Sequence, residues 1–180
     1  VGESIILTKP VGTGTLFAAN MRCEAQGVDI KNALVTMCTT NKVAGELLSE
    51  FGATSCTDVT GFGVLGHLHE MIKASDVGAT IKLSAVPFLG GAEACIRKGI
   101  FSSLHEDNAR LRKVIEVDNK LRQESAFPLL FDPQTAGGLL ASVSSAKAES
   151  CVKALRKAGY TRATIIGSVT AQKNGIRVLK

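Results

Sequence analysis

The stretch Thr57-Asp58-Val59-Thr60-Gly61-Phe62-Gly63-Val64-Leu65-Gly66-His67 constrains the chain more than any other. Its glycines at 61, 63 and 66 mark a tight turn between two regular elements. The flanks read as a short polar strand over Ala53–Thr57 and a helix from about Val64, with Leu65, Leu68, Met71 and Ile72 on its apolar side before Gly78 breaks it. Asp58 therefore sits at the mouth of a strand–turn–helix junction. Backbone N–H groups at such a junction attract phosphate, and a carboxylate beside them offers a hard oxygen to Mg2+. Thr57 and Thr60 add hydroxyls. The alternative is that the glycines only permit a tight turn packed on the helix, with Gly61 the position expected to need a positive φ or a close backbone approach, so that Gly61→Val harms folding. The spacing Gly61, Gly63, Gly66 also spells the dinucleotide fingerprint, but the acidic residue expected about 20 positions later is missing.

The remaining chain alternates β-rich and helical runs. Ile5 to Lys9 predicts a strand stopped by Pro10, and Gly12-Thr13-Gly14 a turn, with Thr15 capping a helix over Leu16 to Cys23. Lys9 is either a point charge for a phosphate or an ordinary strand-end lysine. Apolar residues between Ile30 and Leu48 recur at three- and four-residue steps and predict one helix from Asp29 to Glu50, capped by Gly52. Thr80 to Val86 alternates like a half-buried strand; Ala92 to Phe127 reads as helical pieces and loops, mobile over Ser102 to Asn108. Leu129-Leu130-Phe131 signals a compact strand before a second glycine turn, Asp132-Pro133-Gln134-Thr135-Ala136-Gly137-Gly138, and the run Leu139 to Val143. There Asp132 is a second acidic ligand or a turn former bonded to its own backbone. A helix over Ser145–Lys157, a strand over Ala163–Val169 and an Asn174-Gly175 hairpin to Ile176–Leu179 complete the pattern. The order predicts one domain over 1–180 of α/β (α+β) class, a mixed open sheet covered by helices.

With 45% hydrophobic and 21% charged residues, the composition is that of a globular protein. No apolar run approaches the roughly 20 residues of a membrane span, so a cytoplasmic protein with no membrane partner is expected. The net charge of +5 suits a small anionic ligand, while scattered basic residues and 4% aromatics give no support for a nucleic acid partner. Cys23, Cys38, Cys56, Cys95 and Cys151 are too dispersed for a metal knuckle or disulfide framework and are expected to be buried reduced thiols, with Cys56 a candidate for a lowered pKa beside a phosphate site. His67 and His69 point apart on one helix, so with His105 they predict no metal cluster. The start at Val1, close to a strand, suggests a piece of a longer protein.

Taken together, Leu7-Thr8-Lys9-Pro10-Val11-Gly12-Thr13-Gly14, the Thr57–His67 stretch and Asp132-Pro133-Gln134-Thr135-Ala136-Gly137-Gly138-Leu139-Leu140 resemble the carboxy-terminal half of the selenophosphate synthetase (selenide, water dikinase) family. Its superfamily includes aminoimidazole ribonucleotide synthetase, whose C-terminal domain supplies the expected fold. The resemblance implies ATP as substrate, Mg2+ on its phosphates, and a product mixture of selenophosphate, phosphate and AMP. It maps the metal-holding aspartate onto Asp58, while Lys9, Thr57, Thr60 and Gly61 are the candidates for the phosphate cleft from their own chemistry and position. It also implies that ATP and selenide are handled with an amino-terminal domain outside this chain, that the full-length protein is a homodimer, and that none of the five cysteines is the nucleophile. The 180 residues alone are expected to be inactive. Two alternatives are a non-catalytic paralogue acting as a regulatory or interaction partner, and a related ATP-dependent synthetase with a different acceptor.

Overall fold

Burial on both sides of one strand decides the layering. The computed structural model describes all of residues 1–180, and its first strand, β1 (Ser4–Leu7), turns Ile5 and Leu7 to one face and Ile6 to the other, all fully buried. A buried aliphatic side chain contributes about 1.5–3 kcal/mol, and a one-residue slip would exchange the two faces, so the position of β1 at the middle of a sheet is strongly specified. The other strands are β2 (Ser55–Asp58), β3 (Gly78–Lys82), β4 (Ile115–Val117), β5 (Leu139–Val143), β6 (Thr164–Thr170) and β7 (Ile176–Leu179), in the order β2-β5-β1-β6-β3-β7-β4. Pairing is antiparallel from β2 through β3, while β3, β7 and β4 run parallel.

The helices are α1 (Thr13–Met21), α2 (Gly27–Cys38), α3 (Lys42–Glu50), α4 (Gly63–Ala74), α5 (Ala92–Arg97), α6 (His105–Ala109), α7 (Asn119–Arg122) and α8 (Ser145–Lys157). Ile5 and Leu7 pack with Val64, Leu65, Leu68 and Ile72 of α4. Ile6 packs on the opposite face with Leu48 of α3 and Val152 and Leu155 of α8. A third cluster joins α1, α2 and α5 through Leu16, Ala33 and Ile96. The mixed open sheet with helices is the predicted architecture, and no helix is long and apolar enough to cross a membrane.

Several local expectations are overturned by bonds between distant segments. The single helix expected over 29–50 is two, because the carbonyls at the break are taken elsewhere: Tyr160 Oη donates to Thr40 O at 2.8 Å, and Lys9 Nζ donates to Thr39 O. Leu129-Leu130-Phe131 lies in a 3-10 turn, Phe127–Phe131, not a strand. Thr15 does not cap α1; its hydroxyl donates to Asp132 Oδ1 at 2.7 Å. The strand expected over 80–86 begins at Gly78 and gives way at Leu83 to a 3-10 turn, and a strand, β4, stands inside the region read as helical pieces. The Asn174-Gly175 turn exists, but it does not pair β6 with β7. Asn174 N donates to Val77 O and Ala79 N donates to Gly175 O, so β3 is drawn between them; a Cβ at Gly78 would stand 1.9 Å from Gln172 O.

Gly63, not Gly61, is the constrained glycine of the central turn. Its φ is +70° and a Cβ there would lie 2.8 Å from the carbonyl carbon of Phe131, whereas nothing lies within 4 Å of a Cβ at Gly61. Gly63→Ala is therefore expected to destabilise by about 1–3 kcal/mol and Gly61→Ala by less than about 0.5 kcal/mol, read from urea unfolding midpoints. Equal losses for the two variants would contradict this assignment.

Candidate functional site

Because β1 and β2 run antiparallel to β5, the segment after β1, the turn after β2 and the turn before β5 emerge at one end of the sheet. These are the three sequence motifs, and the fold welds them together. Val59 N donates to Gly138 O at 2.8 Å and Thr8 N to Leu139 O at 3.0 Å, while Leu139 N donates to Thr8 Oγ1 at 2.7 Å. Glycine is needed at 137 and 138, where a Cβ would meet Val59 O at 2.1 Å and Lys9 N at 2.6 Å.

Gln134 sits at the junction. Its Oε1 accepts from Gly12 N at 2.9 Å, Thr13 N at 3.2 Å and Thr13 Oγ1 at 3.1 Å. Its Nε2 donates to the Asp132 carbonyl and carboxylate, and its own N–H donates to Thr60 O at 2.9 Å. Asn108 closes the other side, donating from Nδ2 to Gly61 O at 2.7 Å and to Phe131 O at 3.0 Å. Neither residue was singled out from the sequence. Gln134 stood inside a recognised turn motif without a hint of its partners, and Asn108 belonged to a stretch read as mobile.

Asp58 ends β2 on its exposed side, with a carboxylate that accepts no hydrogen bond and forms no ion pair within the chain. Directly after it, the peptide N–H groups of Thr60, Gly61 and Phe62 donate no backbone hydrogen bond. An open carboxylate and open amides thus stand side by side on a turn fixed from behind. Thr57 Oγ1 donates to Asp58 O at 3.3 Å, and Thr60 Oγ1 lies 3.1 Å from His67 Nε2, so the threonine hydroxyls serve the turn itself. His67 is buried against Phe62 at a ring separation of 5.5 Å, with Nδ1 3.2 Å from Glu70 Oε2. No group of three or more His, Cys, Asp or Glu side chains gathers anywhere in the chain.

Lys9 differs from a surface lysine: it is only 3% exposed, its ammonium donates to Thr39 O and to Ala136 O, and burial lowers its pKa. It binds the 39–41 linker to the second glycine turn. Asp132 is fully buried and its carboxylate accepts from Thr15 Oγ1 and Gln134 Nε2, so it is neither an open metal ligand nor a turn former bonded to its own backbone. Burial pushes its pKa up to about 6, against the pull of bonds from Thr15 and Gln134. Cys56, expected to have a lowered pKa, has a raised one, through partial desolvation by its surroundings and the neighbouring Asp58 charge. Only Cys95 and Cys151 are buried; Cys23, Cys38 and Cys56 are exposed.

The family model for the C-terminal domain of AIR synthase related proteins matches residues 1–180. The selenide, water dikinase of Bdellovibrio bacteriovorus is 40% identical over 179 residues, covering 97% of this chain and 50% of that protein. That of Clostridioides difficile is 37% identical, covering 93% and 48%. The chain spans about half the length of the curated relatives it matches. Among solved structures, the hydrogenase maturation protein HypE in complex with ATP superimposes with a TM-score of 0.65 at 17% identity, covering 98% of this chain and 47% of that one. Thiamine-monophosphate kinase from Stenotrophomonas maltophilia gives 0.66 at 16%, covering 99% and 50%. These similarities at low identity bear on the fold.

Asp132 generates a pH signature. Its folded pKa of about 6 lies above the ordinary 3.8, so between those values the unfolded chain releases a proton that the folded one keeps. Stability from this group is present below about pH 4 and is lost as pH rises through about 6, amounting to about 3 kcal/mol. The penalty of Asp132→Asn is expected to shrink by that order between pH 4 and pH 7 in urea unfolding; a pH-independent penalty would show that Asp132 titrates normally.

Proposed function

The chain belongs to the AIR synthase related C-terminal domain family, and we propose that it forms the half of a selenide, water dikinase that supplies Asp58 to the Mg-ATP site. The reaction in this proposal converts selenide, ATP and water to selenophosphate, phosphate and AMP. The observation that carries it is the unpaired, exposed Asp58 carboxylate next to the open amides of Thr60, Gly61 and Phe62. Sequence identities of 37–40% to two selenide, water dikinases favour that acceptor.

The residues present fit a partial site. Magnesium is commonly held by one or two carboxylates together with phosphate oxygens and water, so a single aspartate suits a shared ion and not a complete cage. When bound, Mg2+ would supply charge neutralisation at the phosphates. Asp58 would provide one oxygen, and the amides of the 60–62 turn would donate to a phosphate oxygen. Lys9, Thr57, Thr60 and Gly61 belong to this cleft chiefly as its builders. Lys9 holds the loops through carbonyls and keeps at most one ammonium N–H free. In this proposal the further oxygen ligands and the reactive group belong to the part of the relatives' length that this chain does not span, so the 180 residues alone are expected to lack activity. A cytoplasmic homodimer belongs to the same proposal.

Phosphorus NMR of the whole protein containing this chain, with Mg-ATP and with or without selenide under reducing conditions, tests the reaction. Selenide-dependent AMP and selenophosphate are expected. A folded protein that binds Mg-ATP but forms neither would move the assignment to a non-catalytic paralogue or another acceptor. Asp58→Asn should lower turnover at least about tenfold with elevated Mg-ATP requirement. Its melting temperature should stay within a few degrees, since no bond of the carboxylate is lost. Full activity in that variant would reduce Asp58 to a turn residue.

A further inference from the structure

Between α1 and the segment 101–112 lies an open cleft of about 750 Å3, within the size range of small-molecule sites. Phe17 on α1 and Phe101 opposite give it flat apolar walls. Two of its lining residues carry buried polar atoms without a partner, Ser102 Oγ and His105 Nδ1, and His105 is 94% buried. Native structures satisfy such atoms with protein, water or ligand, because an unpaired buried polar group opposes folding. Two guanidiniums also line the cleft without a carboxylate partner. Arg22 forms no ion pair, and Arg112 lies over the Phe131 ring, 5.2 Å from its centroid, close enough for its charge to act on His105. Glu106 is the one acidic side chain on the wall.

We infer that this cleft binds a small molecule that carries an oxyanion group on a flat apolar body. The guanidiniums of Arg22 and Arg112 take the oxyanion, Phe17 and Phe101 flank the apolar part, and the enclosed Ser102 Oγ and His105 Nδ1 stand behind the wall as partners reached when these side chains turn toward the ligand. Burial and the Arg112 charge hold the His105 pKa down to about 4, so at neutral pH the imidazole offers one donor and one acceptor nitrogen. The cleft is tied to the Asp58 turn through Asn108, which leaves the same wall to bond Gly61 O and Phe131 O. It stands independently of the selenide reaction.

The test follows the imidazole signals of His105 in nitrogen-15-labelled protein as phenyl phosphate is added, with benzoate and inorganic phosphate in separate arms. A saturable shift is expected with phenyl phosphate or benzoate, the stronger of the two identifying the oxyanion as phosphate or carboxylate, and a weaker one with inorganic phosphate. Arg112→Met should weaken binding on the order of tenfold. Ser102→Ala should also weaken it without lowering the melting temperature, because the hydroxyl has no protein partner to lose. The inference is overturned if His105 stays unmoved in the folded protein at about 50 mM of either aromatic probe, or if Arg112→Met and Arg22→Met both bind like the parent chain.

Discussion

The carboxamide of Gln134 is the bond on which the arrangement of the three motifs depends. It accepts three hydrogen bonds from the start of α1, donates two to Asp132, and its own amide reaches the turn after β2. Helix α1 has no capping side chain of its own at Gly12, so its first amides rely on this residue some 120 positions away. Each such group left unpaired would cost about 1–3 kcal/mol, which makes the junction close to all-or-none.

A rigid back allows an open front. Two aspartates stand in comparable glycine turns, yet their fates are opposite. Asp132 is enclosed by the base of α1 and spends its oxygens on Thr15 and Gln134. Asp58, at the end of the outer strand, has both carboxylate oxygens free. Lys9 follows the same division of labour: it neutralises loop carbonyls in the interior and so holds in place the surface that Asp58 presents.

Elements with strong local patterns were legible before any tertiary contact was known. Helix α8 matches its expected bounds, Ser145–Lys157, because its apolar residues mark one face and Gly159 stops it with a positive φ. The Gly52 stop after α3 holds for the same reason. What failed was decided by distant partners. Tyr160 and Lys9 claim the carbonyls that would have continued α2 into α3, and the 172–175 turn folds over Gly78 to admit β3 between β6 and β7. The exposed cysteines belong here too, since sequence position carries no record of which side faces the core.

The class of fold and the places of the two glycine turns were readable in the amino-acid order, because period, glycine and proline act over a few residues and leave a local trace. Contacts across the fold settle the rest: Gly63 takes the left-handed backbone, Asp132 is enclosed while Asp58 is open, and Gln134 and Asn108 hold the turns together. Those outcomes depend on hydrogen bonds and close backbone approaches between segments far apart in the chain, where burial assigns each polar group its partner.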